Sequence, residues 1–140
     1  MKYYLIKCIN CGNEHNSSRN SFHRFCSNEC QKDFEFRLNV SDWLNGKINP
    51  MNSNGMIKPF VRKYLFLINN NKCCLCGWGE INKTNNKIPL EVDHIDGNFR
   101  NNDIKNLRLL CPNCHSLTST YKNLNKGNGR DKRKRIWGRI

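Results

Sequence analysis

A chain of 140 residues fills one modest domain or two small ones, and with 37% hydrophobic residues apolar burial alone is thin support for either. The formal net charge of +13 points to a polyanionic partner, and no apolar run approaches the ~20 residues needed to cross a membrane. The opening MKYYLIKCIN meets Asn10 and Cys11 too early for a signal peptide, so a reducing cytoplasm is expected, where the nine cysteines hold metal rather than pair as disulfides.

In chain order, the first feature is Cys8-x2-Cys11 followed by Cys26-x3-Cys30. Two close pairs of thiolates supply the four soft ligands of a tetrahedral zinc site, with backbone N–H groups bracing the sulfurs. His15 and His23 lie between the pairs and are alternative ligands, though surface roles are simpler. Cys30 opens QKDFEFRLNVSDWLNG, in which Phe34, Leu38 and Trp43/Leu44 recur at helical intervals up to Gly46. Residues 1–46 therefore read as a treble-clef or ribbon-like zinc module with a following helix.

Residues 47–59 contain two prolines, a glycine and several Asn and Ser residues, the composition of a linker. Phe60 to Ile68 is apolar on several faces and predicts a short buried helix. A second cysteine quartet follows, Cys73-x2-Cys76 and Cys111-x2-Cys114. Cys74 is left over, either a bystander or an exchange partner of Cys73. Gly12 and Gly77 follow the two knuckle turns, where a positive φ is expected, and this favours Cys73 with Cys76. Between the pairs, Ile88 to Ile95 predicts a strand, Leu107 to Leu110 its partner, and a helix starts near Cys114. The fold class is α+β, built from small zinc-stabilised modules, with residues 60–125 as the second domain and 126–140 as a basic tail.

Four residues of the segment from Leu90 to Tyr121 draw attention: the Asp93-His94 pair at a strand end, Asn106 before the second strand and His115 directly after Cys114. Taken singly, each has a plain explanation. An Asp-His pair is common, and His115 could complete a three-cysteine, one-histidine zinc site. Together, V-D-H-I, N-L-x-x-L and C-x2-C-H resemble the HNH endonuclease family in its variant with flanking C-x2-C pairs. The likeness spans residues 73–121.

That resemblance implies a ββα-metal nuclease. It makes His94 a general base, for which a neutral imidazole suits near-neutral pH. Asp93 and His115 become ligands of a catalytic divalent metal, Mg2+ or Mn2+, with Ni2+ or Zn2+ competing for the imidazole. Asn106 becomes a structural residue that bonds across the loop. Two structural zinc ions complete the expected cofactors.

The partner expected is double-stranded DNA. From Gly97 onward eleven Lys/Arg residues face two acids. Contacts to DNA are expected from Arg100, Arg108, Lys122, Lys126, Arg130, Lys132, Arg133, Lys134 and Arg135, with Trp137 available to stack. Asn98, Asn101 and Asn102 share the loop with Arg100 and are candidate backbone contacts, while Asp96 and Asp103 read as solvated. One such site cuts one strand, so a monomer nicks and a dimer is needed to cut both. No interface is visible, which favours a monomer. A phage or mobile-element homing enzyme is the expected setting, with a restriction-type nuclease or a non-catalytic zinc-dependent DNA-binding protein as alternatives.

Overall fold

The computed structural model describes residues 3–18 and 24–126. The described chain mixes helix and strand and divides into two compact units after Ile48.

In the first unit β1 (Tyr3–Lys7) pairs antiparallel with β2 (Glu14–Ser18), and helix α1 (Asn28–Leu44) follows. The turn joining the strands is the first knuckle: Cys8 N–H donates to Asn13 O, and Gly12, at φ 76°, donates to Cys8 O. The helix begins earlier than the sequence predicts. Ser27 is its N-cap and accepts from Cys30 N at 3.1 Å, which places Cys30 inside the first turn rather than at its entrance. The buried face also differs from the expectation. Val40 and Trp43 are buried, whereas Leu38 and Leu44 are exposed. Helical spacing alone left the choice of face open, and Leu38 falls on the solvent side.

In the second unit residues 50–58, read from the sequence as linker, hydrogen-bond among themselves. Met51 bridges Ile57, and Asn52 closes the turn through Met56 N and Met56 O. Helix α2 (Pro59–Ile68) starts with proline at its first position, where no backbone N–H is needed. Only one face of it is buried, through Val61 and Leu65, while Leu67 and Ile68 are exposed. The buried helix expected from apolar residues on several faces is instead an amphipathic helix that packs on a very small sheet.

That sheet consists of β3 (Glu91–His94) and β4 (Leu107–Leu110), antiparallel, with Asp93 opposite Arg108 and His94 opposite Leu107. Only four residues of the predicted strand at Ile88 to Ile95 pair, because β4 is only four residues long. A 3-10 turn at Ile104–Asn106, capped by Asp103, leads into β4. Helix α3 (Pro112–Ser116) follows, with Cys111 as its N-cap.

The core of this unit is Leu90, Leu109 and Leu110 with Cys73 and Cys111, flanked by Phe66, Ile88 and Val92. Each fully buried leucine contributes about 1.5–3 kcal/mol relative to exposure. A core that small needs reinforcement, and the second knuckle abuts it: Cys74 N–H donates to Leu109 O at 2.9 Å, tying the knuckle to β4. No described helix is long and apolar enough to cross a membrane.

Candidate metal centres and active site

Two quartets of thiols gather in the structure, Cys8 with Cys11, Cys26 and Cys30, and Cys73 with Cys76, Cys111 and Cys114. Within each, all four sulfurs lie within 4.8 Å of one another. Sulfurs bound at about 2.3 Å around one tetrahedral zinc stand close to 3.8 Å apart. The separations of 3.6 Å for Cys11–Cys26 and 3.7 Å for Cys76–Cys111 match that spacing. Both quartets could hold structural zinc. Cys73, not Cys74, belongs to the second, and neither His15 nor His115 enters a quartet. His23 lies outside the described residues.

The electrostatics of the quartets fit a cation. Burial acts to raise the Cys8 thiol, but backbone hydrogen bonds at Cys11, Cys26 and Asn10 outweigh it and hold Cys8 down at about 6. Cys73 is likewise held at about 6 against its burial, by backbone hydrogen bonds at Cys111, Cys76 and Leu75. In contrast, hydrogen bonds to neighbouring sulfurs push Cys26 and Cys114 up to about 12. A thiolate forms readily at Cys8 and at Cys73, whereas Cys26 and Cys114 need a positive charge beside them.

A different set of side chains meets beside the second quartet. Asp93 is buried on β3, and its Oδ1 lies 3.6 Å from Nε2 of His115 on α3. The other nitrogen of His115, Nδ1, lies 2.5 Å from Oε2 of Glu91. A carboxylate beside Nδ1 keeps the proton there and leaves the Nε2 lone pair facing Asp93. The second oxygen of Asp93 is taken by Arg108, whose Nε stands 2.7 Å away across the sheet. Asp93 Oδ1 and His115 Nε2 are thus two donors of different chemistry converging on one point. Their spacing and donor types suit a divalent metal with most of its coordination sphere open.

His94 follows Asp93 on β3, and its Nε2 lies 2.9 Å from Oδ1 of Asn102. Asn102 is buried, and its amide nitrogen donates to the carbonyls of Phe99 and Arg100. Those two acceptors settle the orientation of the amide, so its oxygen faces the histidine. Nε2 must then carry the proton, and Nδ1 is left as the basic nitrogen.

The loop between the strands is held by its own polar side chains. Asp96 accepts from Asn98 N, Asn101 Nδ2 and Asn106 Nδ2. Asn106 Oδ1 in turn accepts from Asp96 N, and Asn106 O accepts from Ile95 N. These bonds, that from Asn101 first, hold the Asp96 carboxyl below its ordinary range. Asn125 reaches the same loop and donates to Gly97 O at 2.7 Å. A Cβ at position 97 would lie 2.6 Å from Asn125 Oδ1 and 2.8 Å from a Thr120 methyl, and the φ of 73° there favours glycine in any case.

Asp93, His94 and His115 line one cleft of about 610 Å³, together with Arg62, Phe99 and Lys122. Lys122 Nζ sits 4.8 Å from the Tyr121 ring centroid, and the Tyr121 hydroxyl raises its pKa. Arg100 stacks on Phe99 at 4.5 Å, and Lys126 is exposed. Arg130, Lys132, Arg133, Lys134, Arg135 and Trp137 lie outside the described residues.

Sequence reasoning missed Glu91 and the link from Asn102 to His94. A signal for Glu91 was present: Glu91 and Asp93 alternate on one strand, which turns both carboxylates to the same face.

Over 59 residues, covering 40% of this chain and 24% of the relative, the sequence is 49% identical to the protein named H-N-H endonuclease F-TflIV of Escherichia phage T5. The chain spans about a quarter of the length of this curated relative. No family model matches the chain, and no solved structure does so. The identity to the phage protein supports an HNH endonuclease assignment.

Proposed function

We propose that the chain is a metal-dependent HNH endonuclease that hydrolyses phosphodiester bonds of duplex DNA, with β3, β4 and α3 as its ββα-metal unit. The observation that carries this reading is the approach of Asp93 Oδ1 to His115 Nε2 at 3.6 Å, beside a histidine whose Nε2 is tied by a buried amide. A structural zinc module has no use for that arrangement.

Asp93 and His115 would hold a divalent ion, Mg2+ or Mn2+ in the first instance with Ni2+ or Zn2+ able to compete. When bound, such an ion supplies positive charge at the scissile phosphate and at the departing 3′ oxygen. The protein's own residues do the rest. His94 takes a proton from the attacking water at Nδ1, while Asn102 holds the ring still through Nε2. Arg108 fixes the Asp93 carboxylate by its Oδ2, and Glu91 presents His115 by its Nδ1, so both ligands are positioned before an ion arrives. The net charge of +13 and the exposed Lys122, Lys126 and Arg100 favour a nucleic-acid substrate.

A single site of this kind nicks one strand as a monomer, and cutting both strands requires two copies or two events. The phage relative favours a phage or mobile-element role over a restriction role. The test is supercoiled plasmid with Mg2+ or Mn2+, comparing the chain with a zinc-loaded His94→Ala variant. Nicked circles from the parent and a loss of about 10²–10⁴-fold in the variant support the reading. Equal plasmid binding with no cutting by either protein, across varied DNAs, replaces it with a DNA-binding zinc protein.

A further inference from the structure

Arg62 belongs to α2, outside the ββα unit, yet it lines the same cleft as Asp93, His94 and His115. Its guanidinium is immobilised in two ways. Nη2 donates to Leu90 O at 2.6 Å, and the group stacks over the Phe66 ring, 4.9 Å from its centroid. Among the described residues it has no carboxylate partner, whereas Arg108 is paired with Asp93 and Arg37 with Asp33.

These facts are hard to reconcile with a purely structural arginine. Capping one carbonyl uses one of five N–H donors, and a planar fork held by one nitrogen and one ring face keeps its other donors in a fixed direction. The carboxylate that lines the cleft, Asp93, is paired with Arg108 and not with Arg62. Arg62 and Lys122 together leave the cleft a surplus of positive charge next to the two candidate metal ligands.

We infer that Arg62 is a phosphate-binding residue of this cleft, donating two N–H groups to the non-bridging oxygens of one backbone phosphate of the DNA strand being cut. The inference rests on the nuclease reading of the cleft and adds to it a recognition element from α2. A fork needs its geometry as well as its charge, so lysine is not a substitute.

The experiment uses the full chain with Arg62→Lys and Arg62→Ala. Duplex binding is measured across a salt series, and plasmid nicking is measured in the same buffers. Zinc content and the thermal transition report on folding. Arg62→Ala is expected to lower the log–log salt slope by about 0.9, the share of one phosphate contact. Arg62→Lys is expected to keep the slope while nicking falls about 10²-fold, with two zinc ions retained. If Arg62→Ala loses its zinc, the lysine variant alone decides, since its stem and charge persist. Parental slope and parental nicking in the folded variants overturn the inference and leave Arg62 as a cap on Leu90. If the parent binds DNA without cutting it and Arg62→Ala still lowers the slope, the phosphate contact stands and the nuclease reading falls.

Discussion

Asn102 and His94 meet at 2.9 Å, side-chain oxygen to ring nitrogen, and two backbone carbonyls hold the amide in the orientation that makes this contact possible. The geometry selects one tautomer of the histidine without any charged partner.

Replacing Asn102 by alanine should therefore damage catalysis without removing the base. The ring loses the bond that keeps its proton on Nε2, and a second tautomer with Nδ1–H becomes available. We expect nicking to fall by about 10-fold to 10²-fold, less than for His94→Ala, whose full loss lies at about 10²–10⁴-fold. Single-turnover nicking by the two variants, with zinc content confirmed, checks the ranking. A loss in Asn102→Ala as deep as that in His94→Ala would show that Asn102 acts on more than the tautomer.

Glu91→Gln tests the carboxylate that meets His115 Nδ1. Without the carboxylate, His115 is free to place its proton on either nitrogen, and Nε2 is no longer reserved as a ligand. The metal concentration for half-maximal nicking should rise about 10–100-fold, with the parental maximum regained at high metal. A metal titration of the nicking rate reads this directly, and an unchanged midpoint would remove Glu91 from the site.

The two thiol quartets should behave independently. Cys8→Ala and Cys111→Ala are each expected to reduce bound zinc from two ions per chain to one, measured by elemental analysis. Only Cys111→Ala should abolish nicking, because Cys111 caps α3 and that helix carries His115. The Cys8 variant should keep its cutting rate at saturating DNA. Loss of nicking in both would mean that the first unit has a direct part in the chemistry.

Acid should loosen the loop between the strands. The Asp96 carboxyl is held below its ordinary range chiefly by Asn101, then by Asn98 and Asn106. A depressed carboxylate contributes stability that is complete above its unfolded pKa, near 4, and is lost as pH falls through the lower folded value. Hydrogen exchange at Asn98 and Asn101 should therefore accelerate below about pH 4 in the parent. In Asp96→Asn it should already be fast at neutral pH and nearly independent of acid. Equal protection in the two proteins at pH 7 would remove Asp96 from the account of the loop.

How much of this was legible beforehand depended on whether a feature is local in the chain. The quartets were, since C-x2-C spacing dictates the chelating turn, and even the choice of Cys73 over Cys74 followed from the glycine after Cys76. The four-residue strand β4 was visible from Leu107 to Leu110, whereas α3 starts at Pro112, two residues before the expected start near Cys114. The partner of His94 was not. Asn98, Asn101, Asn102 and Asn106 are equivalent as letters, and only the turns around Phe99 bury one of them against the ring. Arg62 was illegible for another reason: it is about thirty residues from His94, and only the packing of α2 brings it to the cleft. The exposed Leu38 and the buried Val40 show the same limit in α1, where spacing proposes a stripe but neighbours decide its facing.

The bond from Asn125 to Gly97 has a consequence for the wall of the cleft. It moors residue 125 against the loop at Gly97, three positions beyond His94. Lys122, which lines the cleft, stands three residues before that mooring, so an uncharged amide limits how far the cation can travel. Cutting the mooring would widen that range without removing a single charge.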